Sequence, residues 1–155
     1  MQEKRAFISN DFILRVKNIA AETVPVWGKM NLQQMVEHVT DFFNVSTEKI
    51  KFEIVTPKEH LPKYKEFLLS EKQFRENTKA PASVLGDEPM PLRNKTLEEA
   101  IIKLELAIRD FEKYFEHDPQ RITAHPVFGP LNFEEWILLH FKHVTHHLRQ
   151  FGAQS

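Results

Sequence analysis

The stretch HFKHVTHHLRQF, residues 140–151, decides the fold, because it combines apolar residues at helical spacing with four of the chain's eight histidines. After Asn132, apolar residues recur three or four positions apart, which is typical of an amphipathic helix; they are Ile137, Phe141, Val144, Leu148 and Phe151. At about 100° per residue, His143 and His147 lie together at the edge of this stripe, whereas His146 is predicted to face solvent. The stretch therefore predicts a helix that carries two neighbouring imidazoles beside the core.

Three segments open with the same helix-start signal, an Asn or Thr followed three residues later by Gln or Glu. The pairs are Asn31 with Gln34, Thr96 with Glu99, and Asn132 with Glu135. With the apolar spacing that follows each pair, they predict helices over about 31–48, 96–118 and 132–151. A weaker pattern predicts a helix over about 8–21, which should end before Pro25.

The connection between the predicted helices 31–48 and 96–118 is rich in proline. Residues 50–95 contain five prolines, one short helix candidate near 62–76, and a segment, 52–55, that could be extended. A loop of this length is usually either functional or disordered, and it could act as a lid. Four amphipathic helices predict an all-α bundle.

The composition restricts the class of protein. A length of 155 residues predicts a single domain over 1–155. Lys plus Arg (21) nearly balance Asp plus Glu (22), which argues against nucleic acid as a partner. The sequence has no cysteine and no long uncharged apolar run, so we expect no disulfides, no membrane association and a cytoplasmic location.

His38 is the third histidine of interest, because it lies on the side of its helix that carries Met35 and Phe42. If this helix packs beside the last one, His38, His143 and His147 form a set of three metal ligands. Three neutral imidazoles leave a coordination position open, which is typical of catalytic rather than structural sites. The alternatives are solvated surface histidines for the pair and a hydrogen-bonded core residue for His38.

The run from His143 to Gln150 resembles the last-helix signature of the DinB-like superfamily, H-x-x-[HY]-H-R-x-Q. His143 and His147 match the two ligands of that helix, and His38, in the run QQMVEH, matches the ligand of the second helix. Leu148 displaces Arg149 by one position from the signature. Further features resemble a small sub-branch; they are Trp27-Gly28-Lys29-Met30, the loop from His125 to Gly129, and the spacing of Glu135, Trp136, His140 and His143.

This resemblance implies an all-α four-helix bundle with a long crossover loop between the second and third core helices. It also implies a divalent metal ion held by three histidines, and a homodimer. Characterised members include transferases and isomerases that use low-molecular-weight thiols such as bacillithiol or mycothiol. The first hypothesis is therefore a thiol transferase acting on a small-molecule substrate, with zinc or nickel at His38, His143 and His147. Glu37, His140 and Gln150 are candidates for orienting these ligands or relaying protons.

Two other functions stay open at this stage. In a metal-dependent hydrolase, a water molecule would replace the thiol, but Glu37, the nearest carboxylate in sequence, is turned away from His38. In a non-catalytic bundle, the histidines would only bind a metal or ligand, or stabilise helix packing. We expect His125 to fix the conformation of its loop; the alternative is that it faces a binding pocket. Trp136 should lie in the core or at the mouth of that pocket.

Overall fold

The first helix, α1, consists of three consecutive pieces in the computed structural model, which describes residues 1–86 and 88–153. Gln2–Ala6 and Phe12–Lys17 are α-helical, and Phe7–Asp11 between them is π-helical. The predicted range 8–21 is wrong at both ends. The start was missed because the first piece buries no residue and so adds nothing to the apolar stripe. At the other end, the α-helix stops early because the chain tightens where the Ile19 N–H donates to the Val16 carbonyl.

The second helix, α2, spans Leu32–Ser46 and begins at the predicted cap. The Asn31 side chain accepts a hydrogen bond from the Gln34 N–H (2.8 Å), and the Gln34 side chain accepts one from the Asn31 N–H (2.9 Å). This reciprocal pair satisfies two N–H groups that have no partner inside the helix. The capping box read from the sequence is therefore confirmed.

A long connection, residues 47–96, joins α2 to the next long helix. It contains a 3-10 turn at Lys58–His60 and two short helices, α3 at Leu61–Leu69 and α4 at Ala82–Leu85. Helix α3 ends well before the predicted residue 76, because the backbone of Ser70 is extended. The Lys142 ammonium donates hydrogen bonds to the carbonyls of Ser70 and Lys72, which fixes this end of α3.

The third and fourth long helices are α5, Leu97–His117, and α6, Phe133–Gln150. Asn132 and Glu135 form a complete capping box at the start of α6. Thr96 caps α5 by accepting from the Glu99 N–H (3.1 Å), but the Glu99 side chain accepts from Lys95 instead of Thr96. The predicted starts of both helices are thus confirmed. The capping box predicted at Thr96 is confirmed only in part.

A short hairpin lies between α5 and α6 and was not predicted. Strand β1, Thr123–His125, pairs antiparallel with β2, Gly129–Leu131. Strands of three residues are too short to show an alternating pattern. Gly129 has φ +80°, and a Cβ atom there would lie 3.0 Å from Leu61 Cδ2, so a larger residue would strain the hairpin. The candidate segment 52–55 forms no strand, although Val55 bonds to this hairpin loop.

Helices α1, α2, α5 and α6 share one apolar core, and the predicted all-α class is confirmed. The largest fully buried side chains are Trp136, Phe12, Phe43, Phe111 and Phe115. Phe43 and Phe111 meet edge to face with their ring centroids 5.7 Å apart. Within the two described ranges, no helix is both long enough and apolar enough to cross a membrane.

Candidate metal centre

Helices α2 and α6 bring three histidines together at one end of the core. The Nε2 atom of His143 lies 2.9 Å from Nε2 of His38 and 3.0 Å from Nε2 of His147. The possible ligand atoms of the three residues all lie within 4.8 Å of one another. Each residue thus presents the nitrogen at the tip of its ring to one common point, where they could hold a metal ion.

Gln150 fixes the protonation of His147. The Gln150 amide nitrogen donates to the Trp27 carbonyl (3.0 Å), so its oxygen is the atom that faces His147 Nδ1 at 2.7 Å. An amide oxygen can only accept, so His147 carries its proton on Nδ1, and the Nε2 lone pair faces the cluster. This is the tautomer that binds a metal ion through Nε2.

Ring protons cannot turn both close contacts of His143 into full hydrogen bonds. His143 Nε2 lies at hydrogen-bond distance from two other ring nitrogens but carries at most one proton when neutral. A cation at the common point would satisfy all three nitrogens at once. The donor set therefore fits a divalent metal ion of the kind that imidazole prefers, which includes zinc and nickel.

Burial keeps these three imidazoles neutral at physiological pH. It lowers the pKa of His38 to about 4, and it lowers the pKa values of His143 and His147 well below 6.5. The neighbouring imidazoles lower the pKa values of His143 and His147 further, because two positive charges at this distance repel. Neutral imidazole is the form that binds metal ions, so the site is ready for a cation without prior deprotonation.

The cluster lies at the wall of a cavity of about 430 Å³. Most of the lining is apolar and aromatic, and it includes Trp27, Phe42, Tyr64, Phe74, Val127 and Phe128. The connection between α2 and α5 supplies one side of this wall through residues within 74–86 and 88–93. A cavity of this size, with polar groups at one point of an apolar wall, is typical of a small-molecule site.

The segment that precedes α2 approaches the cluster closely. Gly28 has φ +79°, and a Cβ atom there would lie 2.9 Å from the Gln150 amide nitrogen. Any larger residue would push against the side chain that orients His147. This contact gives a physical reason for glycine in the Trp27-Gly28-Lys29-Met30 motif.

Of the three candidate supporting residues, only Gln150 bonds to one of the three histidines. His140 is stacked between Phe43 and Trp136, with centroid distances of 3.9 and 5.2 Å, and its Nε2 has no partner in the described part of the chain. His140 thus lies beside the cluster as a core residue. Its ring packs against these two aromatic side chains and does not orient any of the three clustered histidines.

Glu37 holds the end of the long connection. Its carboxylate accepts hydrogen bonds from the backbone N–H groups of Arg93 and Asn94 and from the side chains of Asn94 and Gln33. Burial alone would raise the pKa of Glu37, but these hydrogen bonds outweigh it and lower the pKa. Sequence reasoning missed this role, because nothing in the pattern shows that residues 93–94 return to α2.

His146 departs from the prediction that it faces solvent. It is 4% exposed and packs between Trp27 and Phe74, with centroid distances of 5.3 and 5.8 Å. The helical periodicity placed it correctly relative to α6 but could not show that other segments cover that side. Arg149, displaced in the motif, helps to hold this cover by donating to the Phe74 carbonyl (3.3 Å).

His125 and Trp136 combine the roles considered for them. The His125 Nδ1 atom accepts hydrogen bonds from the N–H groups of Val127 (3.0 Å) and Phe128 (3.2 Å), which fixes the loop, and the ring also lines the cavity. Trp136 is fully buried, and its Nε1–H donates to Thr123 Oγ1 at 2.7 Å. The remaining histidines outside the site, His60 and His117, are exposed.

The fold and the cluster define the class of protein: an all-α protein with a candidate three-histidine metal centre in a cavity wall. The family model of the DinB superfamily matches residues 18–151, so the chain belongs to the DinB superfamily. The resemblance read from the sequence is thereby confirmed, and the finer sub-branch stays a prediction. Searches of the curated proteins and of the solved structures found no match.

Proposed function

We propose that this protein is a metal-dependent transferase in which His38, His143 and His147 hold a divalent ion, zinc or nickel. Its second reactant would be a low-molecular-weight thiol, and its substrate a small electrophile that enters the cavity. The convergence of the three Nε2 atoms on one point of the cavity wall is the observation that carries this proposal. Superfamily membership supports the metal site but assigns no reaction by itself.

The chain's own residues would prepare the site for this chemistry. A divalent ion at three imidazoles supplies a Lewis acid that lowers the pKa of a thiol, so that thiolate is available at neutral pH. Gln150 holds His147 in the ligating tautomer, and the apolar wall excludes water from the reactants. Because the chain has no cysteine, the thiol must come from a cosubstrate.

The carboxylates around the cavity favour a transferase over a hydrolase. A metal-dependent hydrolase needs a free general base near the bound water. Among the described residues that line the cavity, Glu37 is saturated with hydrogen bonds, Asp41 is paired with the Arg93 guanidinium (2.9 and 2.8 Å), and Glu88 with Lys29 (2.8 Å). A thiolate attacks without a protein base, so the transferase fits these contacts better.

The test is turnover of a chromogenic electrophile such as chlorodinitrobenzene, with bacillithiol or mycothiol, by protein loaded with zinc or nickel. We expect thiol-dependent turnover in the parent and in His60→Ala, which removes an exposed histidine. His143→Ala should lose this turnover while its circular dichroism spectrum is unchanged. Equal turnover in His143→Ala would refute the proposal, and hydrolysis of simple esters without thiol would favour the hydrolase.

We also propose a single cytoplasmic domain that forms a homodimer and binds no nucleic acid. The net charge of −1 supports the last point. Exposed apolar side chains on α1 and α5, Leu14 (60%), Ile102 (58%) and Leu106 (50%), support a protein partner such as a second copy. Light scattering of the purified protein would decide between monomer and dimer.

A further inference from the structure

His125 has a fixed hydrogen-bond donor that the structure leaves unused. Its Nδ1 atom accepts two backbone N–H groups, from Val127 and Phe128. A nitrogen that accepts hydrogen bonds carries no proton, so the neutral ring must carry its proton on Nε2. The loop that follows β1 thereby sets the tautomer of the ring and the identity of its donor atom.

The imidazole stays in this neutral form over the physiological range. It is 8% exposed, and burial lowers its pKa to about 3. Protonation of Nδ1 would also place an N–H group against the two backbone N–H groups that donate to this atom, which adds to the free-energy cost of the charged form. His125 therefore offers a neutral N–H group and cannot act as an acid or a cation near neutral pH.

The Nε2–H group of His125 has no hydrogen-bond partner in the two described ranges. Unlike Nε2 of His140, it is not sealed inside the core, and the ring forms part of the cavity wall. The side chain as a whole is more than nine-tenths buried, but this donor atom is open to the cavity. A molecule in the cavity that carries an acceptor can therefore take the hydrogen bond in place of water.

The position of this donor relative to the histidine cluster is set by one aromatic ring. Phe42 packs edge-on against His38 (5.3 Å) and His143 (5.4 Å) and stacks on His125 (5.5 Å). Phe42 thus separates the His125 ring from the cluster by the width of one aromatic side chain, and all of these residues line the same cavity, so one ligand can contact both the cluster and His125. Aromatic rings of Tyr64, Phe74 and Phe128 complete an apolar surface around it.

We propose that His125 determines substrate specificity by donating its Nε2–H to a carbonyl oxygen of an apolar, aromatic-sized substrate. This inference rests on the proposed function only in taking the same cavity as the substrate site. A neutral carbonyl suits a neutral donor, whereas a carboxylate buried here would need a cation. Of the cations that line the cavity, Arg93 and Lys29 are paired with carboxylates, and Lys79 is exposed to solvent.

The first test uses the parent protein with two probes that differ only in the carbonyl group, acetophenone and ethylbenzene. Long-range ¹H–¹⁵N spectra of histidine-labelled protein should show His125 as the Nε2–H tautomer at pH 7. Acetophenone should shift the Nε2 resonance and bind about 3- to 10-fold more tightly than ethylbenzene, the gain from one hydrogen bond. An Nδ1–H tautomer, or no preference for acetophenone, would overturn the proposal.

The second test removes the donor and keeps the loop contact. In His125→Asn, the amide oxygen replaces Nδ1 as the acceptor for Val127 and Phe128, but no donor remains at the Nε2 position. Its affinities for the two probes should agree within about twofold, whereas the exposed control His60→Asn should keep the preference. A preference retained in His125→Asn would refute the assignment.

Zinc uptake, measured separately, keeps this inference distinct from the proposed function. Zinc uptake should be unchanged in His125→Asn, because His125 is not one of the three clustered histidines. A protein that takes up no zinc but shows the His125-dependent carbonyl preference would refute the metal-dependent function and still support this inference.

Discussion

Gln150→Ala should weaken metal binding without removing a proposed ligand. The substitution deletes the 2.7 Å hydrogen bond to His147 Nδ1, so the ring is free to rotate and to change tautomer. It also leaves the Trp27 carbonyl without its donor. Loss of such a supporting contact typically costs about 10- to 100-fold in metal affinity, which corresponds to about 1.4–2.8 kcal/mol.

The assay is competition for zinc between the metal-free protein and a chromophoric chelator. Gln150→Glu is the matched variant, because a carboxylate still accepts from the Nδ1–H of His147 but cannot donate to Trp27. We expect Gln150→Glu to bind zinc with an affinity within about threefold of the parent, or more tightly, because it still orients His147. Gln150→Ala should bind zinc about 10- to 100-fold more weakly than the parent, because it does not.

Thermal unfolding of the metal-free forms separates this effect from a loss of stability. Gln150→Glu also sets a buried carboxylate oxygen against the Trp27 carbonyl oxygen, so it should lose at least as much of the unfolding temperature as Gln150→Ala. An affinity in Gln150→Ala within twofold of the parent would refute the claim that Gln150 orients a metal ligand.

Three further predictions concern the surroundings of the site. Gly28→Ala should weaken zinc binding and lower the unfolding free energy by about 1 kcal/mol or more, because it strains a positive φ and crowds Gln150; equal zinc affinity would contradict this. The pKa of His125 in the folded protein, about 3, lies below the ordinary value of 6.5. The contribution of this neutral ring to the unfolding free energy is therefore complete above pH 6.5 and declines as the pH falls towards 3. In urea titrations at several pH values, His125→Asn should reduce this slope by about 1.4 kcal/mol per pH unit, and an unchanged slope would count against a neutral buried ring. Asn132→Ala should cost about 1 kcal/mol of unfolding free energy through the lost cap of α6, with no change in zinc affinity; a cost near zero would contradict the cap.

Local sequence signals predicted the parts of this fold that depend on neighbouring residues. The capping pairs at Asn31 and Asn132 placed the starts of α2 and α6, because a cap and its partner lie within four residues of each other. The apolar spacing within these helices predicted the sides that carry His38, His143 and His147, and the structure brings the three residues together. Apolar spacing could not show where α1 begins, since its first piece buries nothing.

The parts that were missed depend on contacts between residues distant in sequence. The burial of His146 depends on Trp27 and Phe74, each more than seventy positions away along the chain. The occupation of Glu37 by Arg93 and Asn94 depends on the path of the long connection. The unused donor of His125 is an exception, because it depends on a local turn of three residues, whose hydrogen bonds no spacing rule predicts.

The most direct test of the metal centre is the metal content of the protein purified without an affinity tag or added metal. It should be compared with the triple variant His38→Ala, His143→Ala, His147→Ala and with the control His60→Ala, His117→Ala, which removes two exposed histidines. We predict about one divalent ion per chain in the parent and the control, and none in the triple variant. No ion in the parent, even after zinc or nickel is added, or equal metal content in the triple variant, would contradict the account.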